Sequence, residues 1–145
     1  MLQTAQFLAT LCATLFAGAA IYINLVEHPA RMGLGTKAAA TEWAPSYKRA
    51  TVMQASLAVL SFISGFVAWL LGGGFGWLAG GILIGLVVPF TFAAIMPVND
   101  ALLAPGRDLA SPETRKLLER WARLHAVRSG LGLMASVVYV AMSLG

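Results

Sequence analysis

All ten lysines and arginines of this 145-residue chain, and all six aspartates and glutamates, fall between residues 27 and 49 or between residues 100 and 128. The stretches around those two segments are apolar runs of about twenty residues, the length a helix needs to cross a hydrocarbon core roughly 30 Å thick. Lipid offers no hydrogen-bond partner to an exposed backbone, so a segment of this kind must satisfy its own N–H and C=O groups as a helix. Composition agrees: 59% of the residues are hydrophobic and 11% charged, against about 25% charged in an ordinary soluble domain. The expectation is an all-α integral membrane four-helix bundle, a single domain over 1–145, with spans near 4–26, 51–71, 77–96 and 124–144.

Local signals set the ends of these spans. Nothing before Glu27 is charged, so the first run lacks the basic flank of a cleaved signal and reads as a mature helix. It is expected to end at Glu27-His28-Pro29, because proline disfavours a helical residue before it. The second span should stop at the glycine cluster Gly72-Gly73-Gly74-Phe75-Gly76, which makes a tight uncharged hairpin. The third carries Pro89, which should kink it, and should end at Pro97-Val98-Asn99-Asp100. Ser111-Pro112-Glu113 reads as a cap, a first-turn proline and an acid favoured by the helix dipole. From there a helix can run without a breaker to Leu144, so its first turns stand outside the hydrocarbon. The single cysteine, Cys12, permits neither an intramolecular disulfide nor a thiolate-rich metal site and reads as a packing residue.

Four spans place both charged segments on one face. The other face holds the two termini and the glycine hairpin, with no charged side chain. Lysine and arginine mark the cytoplasmic side, so both termini should be non-cytoplasmic in a multi-pass protein, here expected in a bacterial inner membrane. Trp69 and Trp77 flank the hairpin as an outer aromatic belt would. The net charge of +4 comes with no basic groove or nucleic-acid motif, so the partners expected are membrane lipid and a hydrophobic small molecule, with no nucleic acid. Small residues (Ala17 to Ala20, Gly80, Gly81, Gly85, Gly130, Gly132) would let helices approach closely, and they leave a homo-oligomer open.

The polar residues collect at the charged end. Asn24, Glu27, His28 and Arg31 close the first span, near Tyr47, Thr51 and Gln54 of the second. Asn99 and Asp100 follow the third, and Trp121, His125 and Arg128 share one face of the fourth at i, i+4, i+7. Ionisable groups at membrane depth are costly and face a partner or a cavity. Arg31, Lys48, Arg49, Arg120 and Arg123 also suit snorkelling anchors. Arg128 could neutralise Glu27 or Asp100, and Gln54 and Thr91 suit interhelical hydrogen bonds. A haem between His28 and His125, or a metal held by both with Glu27, is left open by the residue types. No Glu-x-x-His pair, HExxH, GxSxG, Walker or GxGxxG pattern stands in a usable context.

Three strings carry a resemblance: Tyr22-Ile23-Asn24-Leu25-Val26-Glu27-His28-Pro29-Ala30-Arg31, then Pro97-Val98-Asn99-Asp100, then Trp121-Ala122-Arg123-Leu124-His125-Ala126-Val127-Arg128. Their order and spacing resemble the small four-helix membrane proteins grouped as anthrone oxygenase-like. That resemblance implies oxidation of an anthrone, whose acidic CH₂ lies between aromatic rings and opposite a carbonyl. A base removing that proton gives a carbanion that reacts with O₂, with no cofactor required. In this picture His28 or His125 is the base, and Asn99 and Arg128 stabilise the enolate oxygen. Tyr22 and Trp121 stack on the flat ligand, with Asn24, Arg31 and Gln54 around it. The resemblance thus points to an oxidoreductase, a monooxygenase of a hydrophobic aromatic. A non-catalytic lipid or small-molecule binder, or an assembly subunit, is the alternative, and a haem-binding electron carrier a third.

Overall fold

The computed structural model describes residues 1–145, all helix and connecting turns. Four helices are long and apolar enough to cross a membrane: α1 (Leu2–Gly33), α2 (Thr36–Gly73), α3 (Phe75–Leu102) and α4 (Pro112–Leu144). Each packs on its neighbours in sequence, and α1 closes the square by packing on α4. Consecutive helices run antiparallel, so the end of α1, the start of α2, the end of α3 and the start of α4 meet at one end of the bundle. Every charged residue lies at that end.

The helices outrun the spans expected of them. At 38 residues, α2 is roughly 57 Å long, well beyond a hydrocarbon core. It begins at Thr36, after Gly35 with φ +92°, and continues through Pro45, so residues 36–50 extend the second span into the interface as helix. α1 does not stop at Pro29, nor α3 at Pro97. In each case a wide π-turn precedes the proline: Ile23–Glu27, closed by His28 N–H on Ile23 C=O, and Thr91–Ile95, closed by Met96 N–H on Thr91 C=O. The wider turn relieves the clash of the proline ring with the carbonyl a turn back, and the missing N–H falls where pairing is already interrupted. Helix α3 breaks at Leu86, where ψ falls to −20°, less than a turn before Pro89. That is the kink expected there.

At the uncharged end, the hairpin between α2 and α3 turns through Gly72 and Gly74, at φ +87° and +94°. Those are left-handed values that only glycine adopts without strain. Trp77 does not form an aromatic belt. It is 1% exposed and stacks on Tyr139 with ring centroids 5.2 Å apart. The small-residue faces let this happen. A Cβ on Gly80 would meet the Tyr139 ring, and one on Gly132 the Phe16 ring, so both glycines are what let large rings fill the bundle axis. With lipid outside as apolar as the helices, such van der Waals fit is the main force holding them together. Gly18 and Gly130 have open space instead, so the small-residue reading fails for them.

Candidate functional site

The π-turn in α1 decides which polar residues reach the bundle interior. The buried stripe runs Ala5, Ala9, Ala13, Phe16, Ala20, Ile23, and regular α-helix would carry it on to Glu27. One extra residue in the turn puts His28 and Arg31 on the inner face instead, 5% and 3% exposed. Tyr22, two positions beyond Ala20 and so on the far side of the helix, is 56% exposed. It takes no part in the site, which corrects the stacking role the resemblance implies for it. Asp100 is also exposed.

Asn24 organises the contact of α1 with α4. Its Nδ2 donates to the Ala122 carbonyl at 3.0 Å, which turns Oδ1 toward α4. That oxygen accepts from Ser129 Oγ at 2.6 Å and lies 2.7 Å from His125 Nδ1. An amide oxygen only accepts, so Nδ1 carries the proton and the neutral ring presents its lone pair at Nε2. Nothing in the run of residues singles out Ser129; only the register of α4 against α1 does.

Trp121 packs on both histidines, with centroids 4.8 Å from His125 and 5.3 Å from His28. It is buried, as is Trp43 of α2 beside it. Neither ring nitrogen of His28 makes a well-aligned hydrogen bond, although the Leu118 backbone lies beside the ring, and the indole nitrogens of Trp43 and Trp121 and Oδ1 of Asn99 have no partner. Asn99 Nδ2 reaches only the Met96 sulfur, at 3.8 Å. No group of three or more His, Cys, Asp or Glu converges as a metal site would need, and the Glu27 carboxylate is already held by Arg31 and Ser46.

The two buried arginines sit in opposite electrostatic settings. Arg31 is no snorkelling anchor: it pairs with Glu27 and, through Nε, with Glu42 at 2.7 Å. Lys48, Arg49, Arg120 and Arg123 are exposed, as anchors should be. Arg128 is 7% exposed and pairs with neither Glu27 nor Asp100. It donates to Gln54 Oε1 at 3.1 Å and lies over the Phe16 ring at 5.7 Å. Thr91 bonds within its own helix, to Val87.

Two spaces meet at Arg128. A polar cavity of about 10 Å³, room for one water-sized group, is bordered by Arg31, Ser46, Gln54, Trp121 and His125. An apolar groove of about 220 Å³ runs between α2 and α3, bordered by Ala55, Ala58, Val87, Val88, Phe92 and Met96. Tyr47, Thr51 and Arg128 line both. Phe92 and Ala55 at the groove's rim are exposed on the apolar flank of the bundle, so the groove opens sideways toward lipid. His28 and Asn99 border neither space.

A family model described as anthrone oxygenase matches residues 43–138. Among curated proteins, "Anthrone oxygenase tpcL" of Aspergillus fumigatus is 47% identical over 55 residues, 36% of this chain and 34% of that protein. "Anthrone oxygenase" of Claviceps purpurea is 27% identical over 110 residues, 68% of this chain and 63% of that protein. The matches thus span less than two thirds of either relative. Both relatives are fungal, which lends nothing to the expectation of a bacterial membrane. No solved structure matches the chain.

Proposed function

Because this chain belongs to the anthrone oxygenase family, we propose that it is a membrane-embedded oxygenase that converts the activated CH₂ of a flat aromatic ketone into a second carbonyl. The observation that carries this reading is the shared wall of Tyr47, Thr51 and Arg128, which joins a lipid-facing apolar groove to a polar cavity bordered by His125. A flat three-ring substrate partitions into the bilayer, enters between α2 and α3, and turns its polar edge inward.

His125 is the base, in preference to His28. Its Nδ1 proton is engaged by Asn24, so Nε2 is free to take a proton from the substrate CH₂. The enolate oxygen formed in that step is stabilised by the Arg128 guanidinium in a setting from which water is largely excluded. The carbanion passes an electron to O₂, the radicals combine to a peroxide anion, and the proton held by His125 returns to it to give a hydroperoxide. Loss of the second C–H proton with O–O cleavage gives the carbonyl. One oxygen atom enters the product and the other leaves as water, so R₂CH₂ and O₂ give R₂C=O and H₂O. By the excess of lysine and arginine, the charged end faces the cytosol and both termini lie opposite.

Anthrone supplied to proteoliposomes of the purified protein tests this. Anthraquinone should form well above the spontaneous rate, with one O₂ consumed per product. Tight binding of anthrone with no gain over the spontaneous rate would replace the oxygenase with a non-catalytic binder of the same ligand class.

A further inference from the structure

The oxygenase reading gives Arg128 an anion only once the substrate CH₂ has lost its proton, and the two buried arginines differ in what they hold before that step. Arg31 has two carboxylates, whereas no carboxylate lies within ion-pair reach of Arg128. Its protein partners are an amide oxygen and the face of a phenyl ring, and its Nε has no acceptor at all. A guanidinium buried among apolar helices without a counter-charge is among the costliest arrangements a membrane protein can hold, and such groups persist where something pairs with them. The chain supplies no anion here.

The spaces around Arg128 define that ligand. The polar cavity has room for about one oxygen-sized group, and the groove beside it, about 220 Å³, is walled mainly by alkyl and phenyl side chains. We infer that the site binds its ligand already charged: a fused aromatic body in the groove, with one compact anionic oxygen group, a phenolate or carboxylate, on Arg128. The hydroxyls of Thr51 and Tyr47 on the same wall add donors to that oxygen group. This deepens the oxygenase reading by naming the charge state of the ligand, and it concerns binding rather than turnover. A fatty acid from the bilayer presents the same headgroup chemistry, and the test separates the two.

The experiment measures binding to the intact protein in neutral-detergent micelles, by quenching of tryptophan fluorescence. The probes are anthracene-9-carboxylate, its neutral counterpart 9-anthracenemethanol, and oleate. The expected result is at least tenfold tighter binding of the aromatic carboxylate than of the alcohol. Arg128→Gln should abolish that preference and Arg128→Lys should keep part of it. Equal affinity for acid and alcohol in the wild-type protein overturns the proposal, and that comparison stands even if Arg128→Gln does not fold. A preference that survives Arg128→Gln also overturns it. Oleate binding as tightly as the aromatic acid overturns the aromatic assignment and makes the site a fatty-acid site. Anion preference without anthrone turnover would leave this inference standing and remove the oxygenase reading, and turnover without anion preference would do the reverse.

Discussion

Asn24 on α1 and His125 on α4 are 101 positions apart in the chain, and 2.7 Å separate Oδ1 of one from Nδ1 of the other. The Ala122 carbonyl fixes which way the amide faces, so the pair fixes where the imidazole proton sits. If His125 is the base, His125→Ala removes it outright, and a positioned general base is worth about 10²–10⁴ in rate. Asn24→Ala leaves the imidazole but frees its tautomer and its ring angle. Turnover of anthrone should fall by about tenfold to a hundredfold, and Asn24→Asp, which still accepts from Nδ1 but loses the bond to the Ala122 carbonyl, should recover part of it. Wild-type turnover in Asn24→Ala beside an inactive, helical His125→Ala would remove Asn24 from the mechanism.

Gly130 and Gly132 are two residues apart on α4 and should respond to alanine with opposite signs. A methyl group on Gly130 meets nothing within 4 Å, so Gly130→Ala gains helix propensity of up to about 1 kcal/mol. On Gly132 the same methyl would lie 2.5 Å from Cδ1 of Phe16, a ring that is itself fully buried. Overpacking of that kind costs about 1–3 kcal/mol, which exceeds the propensity gain, so Gly132→Ala should destabilise. Unfolding in mixed micelles, titrated with denaturing detergent, reads both. Equal shifts of one sign would mean the α1–α4 contact is looser than described.

These two cases show what the residues disclosed on their own and what they withheld. Charge segregation alone brings Asn24, His28, Gln54, Asn99, Trp121, His125 and Arg128 to one end, because antiparallel topology leaves no other arrangement. Which of them touch depends on register. The stripe on α4 from His125 through Arg128, Gly132 and Ala135 to Tyr139 is legible from the 3.6-residue repeat, and all five are buried. On α1 that repeat fails after Ile23, since a π-turn shifts everything beyond it by one residue and nothing local except the proline that follows hints at it. Helix at residues 36–50 is hidden for a related reason: Pro45 and the charges around it resemble a loop, while the alanines and the packing of Trp43 decide for helix. Ser46, Ser129 and the α2–α3 groove depend on contacts between helices, which no periodicity within one helix reports.

The cluster around Arg31 should be a stability element with unequal limbs. Arg31 is 3% exposed, Glu27 27% and Glu42 49%. Removing the arginine leaves Glu27 unpaired in a largely buried position, and breaking a buried pair from one side costs about 3–5 kcal/mol. Glu27 keeps its bond from Ser46, so the lower part of that range applies to Arg31→Ala. Glu42 reaches in from a half-exposed position, where ion pairs contribute about 1 kcal/mol or less, so Glu42→Gln should be nearly silent. The same unfolding titration distinguishes them. A loss for Glu42→Gln as large as that for Arg31→Ala would mean the outer carboxylate carries the cluster.

The orientation of the bundle follows from the same asymmetry of charge and can be read directly. With Cys12 replaced by alanine, cysteines are introduced singly as Gly145→Cys, at the uncharged end, and Lys37→Cys, at the charged end. The first site has open space around it, and Lys37 lies on an exposed turn at the start of α2. Lysine and arginine are retained on the cytoplasmic side, so a membrane-impermeant maleimide applied to the non-cytoplasmic face should label Gly145→Cys. It should reach Lys37→Cys only after permeabilisation. The reverse pattern would turn the bundle over and place the polar cavity near the non-cytoplasmic face.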